Sequence, residues 1–270
     1  MTILIPILIL LGVALLCAVL LTVTSTFFGV EENKTAIEIR DCLPGANCGA
    51  CGYSGCDAYA KALADKTTEA TNLCIPGGDN TAAEIAQILG VEALDVVEKV
   101  AFVACNCVCD KSDLKFDYHG PKTCHAVELF YNGDKPCHYA CQGYGDCVRA
   151  CPEHAIRIEN GVATVDPALC VGCGICVREC PNQIIQLITQ TSKVVVKCSS
   201  HDKGAQTRKN CINGCIGCMK CEKTCPYGAI KVSDNLATID YALCTSCGKC
   251  AEVCPVHCIH TDNFPNGTHH

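Results

Sequence analysis

The chain has 270 residues, of which 29 are cysteine and none is tryptophan, and its formal net charge is −7. A chain this long, with no obvious cleavable signal, does not fit a small secreted disulfide scaffold. The acidic balance and the lack of a lysine- or arginine-rich stripe argue against a nucleic-acid-binding protein.

The N-terminal segment, residues 1–30, predicts a membrane anchor. From Thr2 to Val30 it reads "TILIPILILLGVALLCAVLLTVTSTFFGV", with no charged side chain, and about 20 apolar residues suffice to cross a bilayer core. A signal peptide is the alternative, but its apolar run is about 7–15 residues long and follows a basic start. We therefore expect a retained single transmembrane helix, followed by a linker over residues 31–41.

Residues 42–80 predict a small [4Fe–4S] domain. Its cysteines have the spacing C-x2-C-x4-C-x17-C, and glycines around the first three allow backbone amides to close around cluster sulfurs. The segment "DAYAKALAD" has helical spacing and should carry the chain towards the last ligand. The predicted ligands are Cys48, Cys51, Cys56 and Cys74.

Residues 81–123 predict a connecting region. We expect a helix that ends near Gly90, a second helical stretch after it, and a strand in "KVAFVAC". The following "ACNCVCD" adds Cys105, Cys107 and Cys109.

The C-terminal half carries repeated C-x2-C-x2-C-x3-C-P motifs, such as "CVGCGICVRECP" at 170–181 and "CIGCMKCEKTCP" at 215–226. This spacing is typical of [4Fe–4S] clusters, whereas structural zinc sites usually have C-x2-C pairs that stand apart. Clusters need reduced thiols, so we expect this part of the chain on the cytoplasmic side of the cell inner membrane.

The same half is an internal duplication with a period of 74 residues. At this offset nine cysteines coincide, from Cys124 with Cys198 to Cys180 with Cys254, and "ATVDPALC" meets "ATIDYALC" without a gap. The segments "AIRIENGVATVD" and "AIKVSDNLATID" predict hairpins. We therefore expect an α+β fold with two tandem modules, 124–190 and 191–264, and a tail at 265–270.

Each repeat resembles a bacterial two-cluster ferredoxin, in which the fourth cysteine of one motif binds the cluster of the other. The resemblance implies three complete ligand sets and a fourth that lacks one member. The complete sets are Cys215, Cys218, Cys221 and Cys254; Cys244, Cys247, Cys250 and Cys225; and Cys170, Cys173, Cys176 and Cys151. The incomplete set is Cys141, Cys147 and Cys180.

The incomplete set has Tyr144 where the second ligand should be, and either Cys124 or Cys137 remains open as the replacement. The spare cysteines near it are numerous enough for one more cluster. They are Cys105, Cys107, Cys109, Cys198, Cys211 and whichever of Cys124 and Cys137 the incomplete set does not use. We expect Cys105, Cys109 and Cys124 among the ligands of this cluster, with Cys137 and Cys211 as further candidates. The sequence thus predicts five [4Fe–4S] clusters in the small domain and the two modules, and a sixth cluster bound by the spare cysteines.

The order of anchor, small cluster domain and two ferredoxin modules resembles the RnfB family, the iron–sulfur subunits of Rnf complexes, in the long form of anaerobes. The resemblance covers essentially the whole chain. It implies an electron-relay subunit of a membrane ferredoxin:NAD⁺ oxidoreductase, a translocase that couples electron flow to Na⁺ or H⁺ export. It implies soluble ferredoxin as the donor. It also implies the flavin- and NAD-handling and membrane subunits as partners.

The residues themselves also favour a relay over a complete enzyme. The sequence has no nucleotide-binding G-x-G-x-x-G or P-loop signature and no evident acid–base or nucleophile group, so we expect no catalytic residue on this chain. Two alternatives remain. One is a cluster subunit of another respiratory or hydrogenase-type complex. The other is a structural metal or nucleic-acid-binding protein.

Overall fold

The computed structural model describes residues 4–27, 33–107 and 114–261. Short helices and two-stranded sheets alternate along the chain, as expected for an α+β fold. The helices are α1 (Leu4–Phe27), α2 (Lys34–Cys42), α3 (Cys56–Ala64), α4 (Gly78–Leu89), α5 (Cys124–Glu128), α6 (Asp146–Ala150), α7 (Ile175–Glu179), α8 (Gly204–Asn210), α9 (Lys220–Thr224) and α10 (Lys249–Glu252). The strands are β1 (Lys99–Val103), β2 (Ile156–Glu159), β3 (Val162–Val165), β4 (Ile185–Thr189), β5 (Val195–Val196), β6 (Ile230–Ser233), β7 (Leu236–Ile239) and β8 (Ile259–His260).

The predicted anchor contains α1, a helix of 24 residues. The structure describes the side chains of Ile5, Ile7 and residues 9–24 within it. Within the part of the chain whose side chains are described, no helix provides an apolar run long enough to cross a membrane.

The small domain begins earlier than the sequence predicts. Residues 31–41 were expected to form a linker, but α2 starts at Lys34, where the side chain of Asn33 accepts a hydrogen bond from the amide of Thr35. Ile39 on α2 is fully buried with Tyr59 of α3 and Ile85 of α4. The linker prediction is therefore wrong from residue 34 onward, because the apolar face of α2 completes the core of this domain.

The connecting region agrees with the prediction at both ends but differs in the middle. α4 ends at Leu89 with Gly90 in the left-handed conformation, and β1 follows from Lys99. The second helical stretch is wrong, because residues 92–98 have no helical structure. The side chain of Asn72 donates to the carbonyl of Asp95, and the amide of Val96 donates to the carboxylate of Asp79. Side chains of the small domain therefore form hydrogen bonds with backbone groups of this segment.

The two hairpins are confirmed and keep the 74-residue period. β2 pairs with β3 from Ile156↔Val165, and β6 pairs with β7 from Ile230↔Ile239, both antiparallel. The other two sheets connect distant segments, because β1 pairs with β4 and β5 pairs with β8. The connecting region is thereby joined to the end of the first module.

The modules have cores lined largely by cysteine. The first core contains thirteen buried residues, six of which are cysteines, packed with Ile156 and Ile184. The second contains Cys215, Cys221, Cys254 and Cys258 among its buried residues. A separate apolar layer, built from β1, β4 and β5, also contacts residues of both modules. The fold thus brings the cysteine groups close to one another.

Candidate metal centres

The small domain gathers its four predicted ligands at the start of α3. The side chain of Asn47 accepts a hydrogen bond of 2.9 Å from the amide of Cys56 and thus fixes the entry to the helix. Burial raises the pKa of the Cys74 thiol, and the neighbouring charges of Cys56, Cys48 and Cys51 raise it further. Cys56 and Cys74 are buried in the core of this domain, and Cys51 packs against the same core.

The first module brings together Cys151, Cys170, Cys173 and Cys176, the crossed set implied by the ferredoxin resemblance. Burial raises the pKa of Cys176 to about 12, and the other three thiols add to this increase. The sulfur of Cys170 also accepts a hydrogen bond of 3.4 Å from the amide of Ala101 on β1.

The incomplete set of the first module gains Cys124. One cavity is lined by this residue together with Cys141, Cys147 and Cys180. Burial raises the pKa of Cys147 to about 12, with further contributions from those same three thiols. The structure thus places Cys124 beside this group, which the sequence left open between Cys124 and Cys137.

Tyr144 occupies the position of the missing second ligand, but its side chain interacts with other residues instead. Its hydroxyl donates a hydrogen bond of 2.6 Å to the carboxylate of Asp134. Its ring packs edge-on against Tyr118, with ring centroids 6.1 Å apart.

The second module brings together both of its predicted sets. Burial raises the pKa of Cys221 to about 11, and Cys215, Cys218 and Cys254 add to the increase. The other set shares one cavity, which is lined by Cys225, Cys244, Cys247 and Cys250.

A further cavity lies between the two modules and is lined by Cys105, Cys107, Cys137, Cys198 and Cys211. Burial raises the pKa of Cys137 to about 12, and Cys105, Cys198 and Cys211 contribute after it. Cys124, which the sequence grouped with Cys105, lies in the other cavity described above, and Cys109 is outside the described residues. The sequence left Cys198 among the spare cysteines without assigning it a role, although its 74-residue offset from Cys124 was a usable signal.

Cys258 lies beside the second module's first set, although it belongs to no motif. Its side chain is 1% exposed, and its sulfur is 3.6 Å from that of Cys254. Hydrogen bonds from Cys258 lower the pKa of Cys215 to about 6 and that of Cys254 to about 5. The same bonds raise the pKa of Cys258. When Cys254 binds a cluster it does so as a thiolate, so Cys258 is the only possible donor in this pair.

The donor sets and their surroundings fit iron–sulfur clusters. All ligands are thiols, most are buried or half-buried, and burial has raised the pKa of many, so the thiolates need a nearby cation. Backbone amides donate to the sulfurs of Cys141 and Cys198 at 3.4 and 3.2 Å, as is usual around clusters. Gly172 has a φ of +66°, and a side chain there would clash with the carbonyl of Lys99, so the loop between ligands closes tightly against β1.

The spacing of the sulfurs is wide for zinc. A tetrahedral site with Zn–S bonds of about 2.3 Å holds its thiolates about 3.8 Å apart. Among the described residues, no three cysteine sulfurs lie within 4.8 Å of one another. Three metal-ligating atoms are that close at His125, Asp146 and Glu179. The Asp146 carboxylate of that group is already paired with His125 and Arg149.

The fold and these sites define a multi-cluster iron–sulfur electron carrier. Family models agree: the model named FeS, for an Fe-S cluster, matches residues 43–76, and models for a 4Fe-4S dicluster domain match residues 137–184, 214–259 and 169–230.

Comparison with curated proteins identifies the family. The chain is 40% identical to the B subunit of the ion-translocating oxidoreductase complex of Methanosarcina acetivorans, over 87% of this chain and 89% of the relative. It is also 40% identical to the B subunit of the Na⁺-translocating ferredoxin:NAD⁺ oxidoreductase complex of Acetobacterium woodii, over 96% and 78%. The identity is 38% to the proton-translocating counterpart of Clostridium ljungdahlii, over 87% and 83%. The chain belongs to the RnfB family, the B subunits of these ion-translocating (Rnf) oxidoreductase complexes.

Proposed function

We propose that this chain is the electron relay of an ion-translocating ferredoxin:NAD⁺ oxidoreductase. It accepts electrons from reduced soluble ferredoxin and passes them to partner subunits of the complex, in support of Na⁺ or H⁺ export. The observation that carries the proposal is that the cysteine groups suited to bind [4Fe–4S] clusters lie next to one another, from the small domain through both modules. A [4Fe–4S] cluster supplies one-electron transfer at a potential set by its surroundings.

The small domain adjoins the first module through its ligands. Burial raises the pKa of Cys173. Cys48 of the small domain contributes more to this increase than Cys151 and Cys170, the module's own thiols. A side chain at Gly172 would lie 3.1 Å from Ile75, which immediately follows Cys74. The chain therefore holds two ligand sets against each other, as a relay between them requires.

The remaining sites complete the proposed set of clusters. We assign five clusters to the small domain and the two modules, with Cys124 as the fourth ligand of the Tyr144-containing set. A sixth cluster is assigned to the cavity between the modules. The buried side chains around these sites, such as Ile156 and Ile230, exclude water and help to keep the potentials low.

The second module is the proposed side of electron entry. Its motif cysteines Cys218 and Cys247 are exposed, whereas the motif cysteines of the first module are buried or half-buried. An external ferredoxin can therefore approach the sites of the second module closely.

The N-terminal helix is the proposed anchor in the cytoplasmic membrane, with the cluster domains on the cytoplasmic side. At about 1.5 Å per residue, the backbone of α1 is about 36 Å long, compared with a hydrocarbon core of about 30 Å, although the side chains described within it form a shorter apolar run. Its described leucines and isoleucines are exposed, for example Leu10 and Leu21 at about 70%. These side chains find no partner surface within the described part of the chain that would bury them.

The experiment adds low-potential ferredoxin to the purified chain under anaerobic conditions without NAD⁺, in an amount far below that of the chain and kept reduced by an added reductant. We expect prompt bleaching of absorbance at about 400 nm, where such clusters absorb. Oxidised ferredoxin without the reductant is the matched control and should leave the absorbance unchanged. The same reductant without ferredoxin is a further control and should bleach the chain much more slowly. A protein that carries its full iron but does not bleach would show that electrons enter the complex elsewhere.

A further inference from the structure

We propose that Cys105, Cys137, Cys198 and Cys211 hold the sixth [4Fe–4S] cluster, and that this junction site joins the clusters of the two modules into one path. The ligand assignment stands on geometry. The path rests on the proposed relay function.

The four thiols converge from four separate segments. Cys105 follows β1, Cys137 lies ahead of the first motif, and Cys198 and Cys211 flank α8. All four line the same cavity. Cys105 and Cys137 are each 9% exposed, and the cavity wall also includes Tyr139 and Thr207. Two buried and two half-buried thiols from separate parts of the chain thus form an all-sulfur donor set.

The duplication explains why Cys198 is free to serve here. Its counterpart in the first repeat is Cys124, which lies with Cys141 and Cys147 because Tyr144 has replaced a ligand there. In the second repeat the corresponding position is Cys218, so that set is complete without Cys198. Cys137 and Cys211, the other equivalent pair, both face the junction.

Hydrogen bonds connect the junction to the ligands on either side. The sulfur of Cys105 accepts from the amide of Cys141, a ligand of the first module, at 3.4 Å. The sulfur of Cys198 accepts from the amide of Cys215, a ligand of the second module, at 3.2 Å. The junction thus lies one hydrogen bond from a ligand of each neighbouring cluster.

The two modules are fixed to each other around this site. The hydroxyl of Ser199 donates to the carbonyl of Ala104 at 2.9 Å, next to Cys105. Burial raises the pKa of Cys105, and the buried ammonium group of Lys135 opposes part of this increase. Lys197, half-buried, lines the same cavity and places a second cation near the thiolates.

The test is the iron content of Cys198→Ala and Cys211→Ala, with the electron paramagnetic resonance spectrum of the reduced protein. Each variant should lose about four iron atoms and one cluster signal, and keep the others. Cys107→Ala, in the same cavity, and Cys42→Ala, outside every set, are the controls and should keep all iron. Unchanged iron in Cys198→Ala, loss of iron in Cys107→Ala, or a loss of more than about eight atoms would each overturn the assignment.

The path is tested separately with reduced ferredoxin. In Cys198→Ala we expect one part of the remaining absorbance at about 400 nm to bleach promptly and the other part at least tenfold more slowly. Uniformly fast bleaching would overturn the path but leave the ligand assignment intact. If the unmodified chain does not bleach, the proposed relay function is contradicted. The iron content of the variants still tests the ligand assignment independently.

An independent observation concerns Cys258. We infer that its S–H group donates to the thiolate sulfur of Cys254, 3.6 Å away, and so raises the reduction potential of the cluster held by Cys215, Cys218, Cys221 and Cys254. Cys258 acts through the ligands and is a positioning residue. Hydrogen bonds to ligand sulfurs favour the more negative, reduced cluster.

The other motifs provide an internal comparison. Four residues after the last cysteine of each motif, the chain has Ala155, Ile184 and Ala229, none of which can donate a side-chain hydrogen bond. Cys258 at the fourth such position is buried, 3.6 Å from the sulfur of Cys254. We therefore expect the cluster beside Cys258 to have a higher potential than the one beside Ile184.

The test is a potentiometric titration followed by paramagnetic resonance. Cys258→Val removes the donor while keeping an apolar side chain of similar size, and should shift one midpoint potential downward with full iron content. Cys258→Ser keeps a donor and should retain the higher potential. Ile184→Val, the equivalent position of the first module, is the control and should shift none. No shift in Cys258→Val would overturn the inference, and a loss of about four iron atoms would make Cys258 a ligand instead.

Discussion

At the scale of single residues, Cys124 is the proposed replacement for a ligand that the first repeat lacks. It lies at the start of α5, about 20 residues ahead of the motif it serves, where the hydroxyl of Thr123 accepts a hydrogen bond from the amide of Ala126. The amide of His125 donates to the buried carboxylate of Asp146 on α6. These bonds hold α5 against the motif helix and direct Cys124 into the cavity with Cys147.

Replacing this residue by alanine should therefore remove one cluster. Cys124→Ala is expected to lose about four iron atoms because three thiols remain where four are needed. Iron and sulfide analysis provides the measurement. Cys17→Ala, outside every cysteine group, is the control and should keep its iron. Full iron content in Cys124→Ala would show that another residue completes this set.

At the scale of elements, the loops between ligands depend on tight backbone contacts. Gly143, between Cys141 and Tyr144, has a φ of +78°, and a side chain there would come within 2.5 Å of the carbonyl of Gly161 in the β2–β3 hairpin. Gly217 is its counterpart in the second repeat, with a φ of +64° and the backbone of Asn235 at 3.1 Å. Each ligand loop therefore rests directly on its own hairpin.

This contact predicts a large effect for a small substitution. Gly143→Ala adds both backbone strain, of about 1–3 kcal/mol, and a clash with backbone atoms that cannot move freely. Gly228→Ala carries the same strain, since its φ is +62°, but has open space around the added atom. The temperature at which absorbance at about 400 nm is lost should fall more in Gly143→Ala. An equal decrease in both variants would mean that the hairpin contact adds nothing.

How much of the structure could be predicted from the sequence depends on how far apart in the chain the interacting residues lie. Ligand sets within the spaced motifs and the hairpin strands were predictable, because both depend on residues close in sequence or on a repeat of fixed period. The choice of Cys124 over Cys137 was not, because it depends on where α5 packs. The stretch after Gly90 was predicted to be helical, but the side chains of Asn72 and Asp79 form hydrogen bonds with its backbone in a different conformation. Nothing local to the segment encodes those distant partners.

At the scale of the whole molecule, the clusters are part of the core. Six of the thirteen buried residues in the first module's core are cysteines, and short strands supply much of the rest. A module of this size has little apolar surface to bury, so metal–thiolate bonding should provide much of its folding free energy.

Removal of iron should therefore unfold the modules. We expect far-ultraviolet circular dichroism to change together with the loss of absorbance at about 400 nm when the anaerobic protein is treated with an iron chelator and an oxidant. A chelator without oxidant is the control and should leave both signals intact. Retention of the native dichroism after complete bleaching would show that the polypeptide folds without its clusters.

The anchor can be separated from the cluster-binding body at a defined point. Because the small domain's core starts with Ile39 on α2, removal of residues 1–32 leaves that core complete. The truncated chain, expressed without partner subunits, should move from the membrane fraction to the soluble fraction with its iron unchanged. Removal of residues 1–41 is the matched comparison. It deletes most of α2 together with Ile39, so about four further iron atoms should be lost from the small domain. If the shorter truncation stays with the membrane, the cluster domains themselves carry the membrane attachment. If the longer truncation keeps all its iron, α2 is a connector and not part of the domain's core.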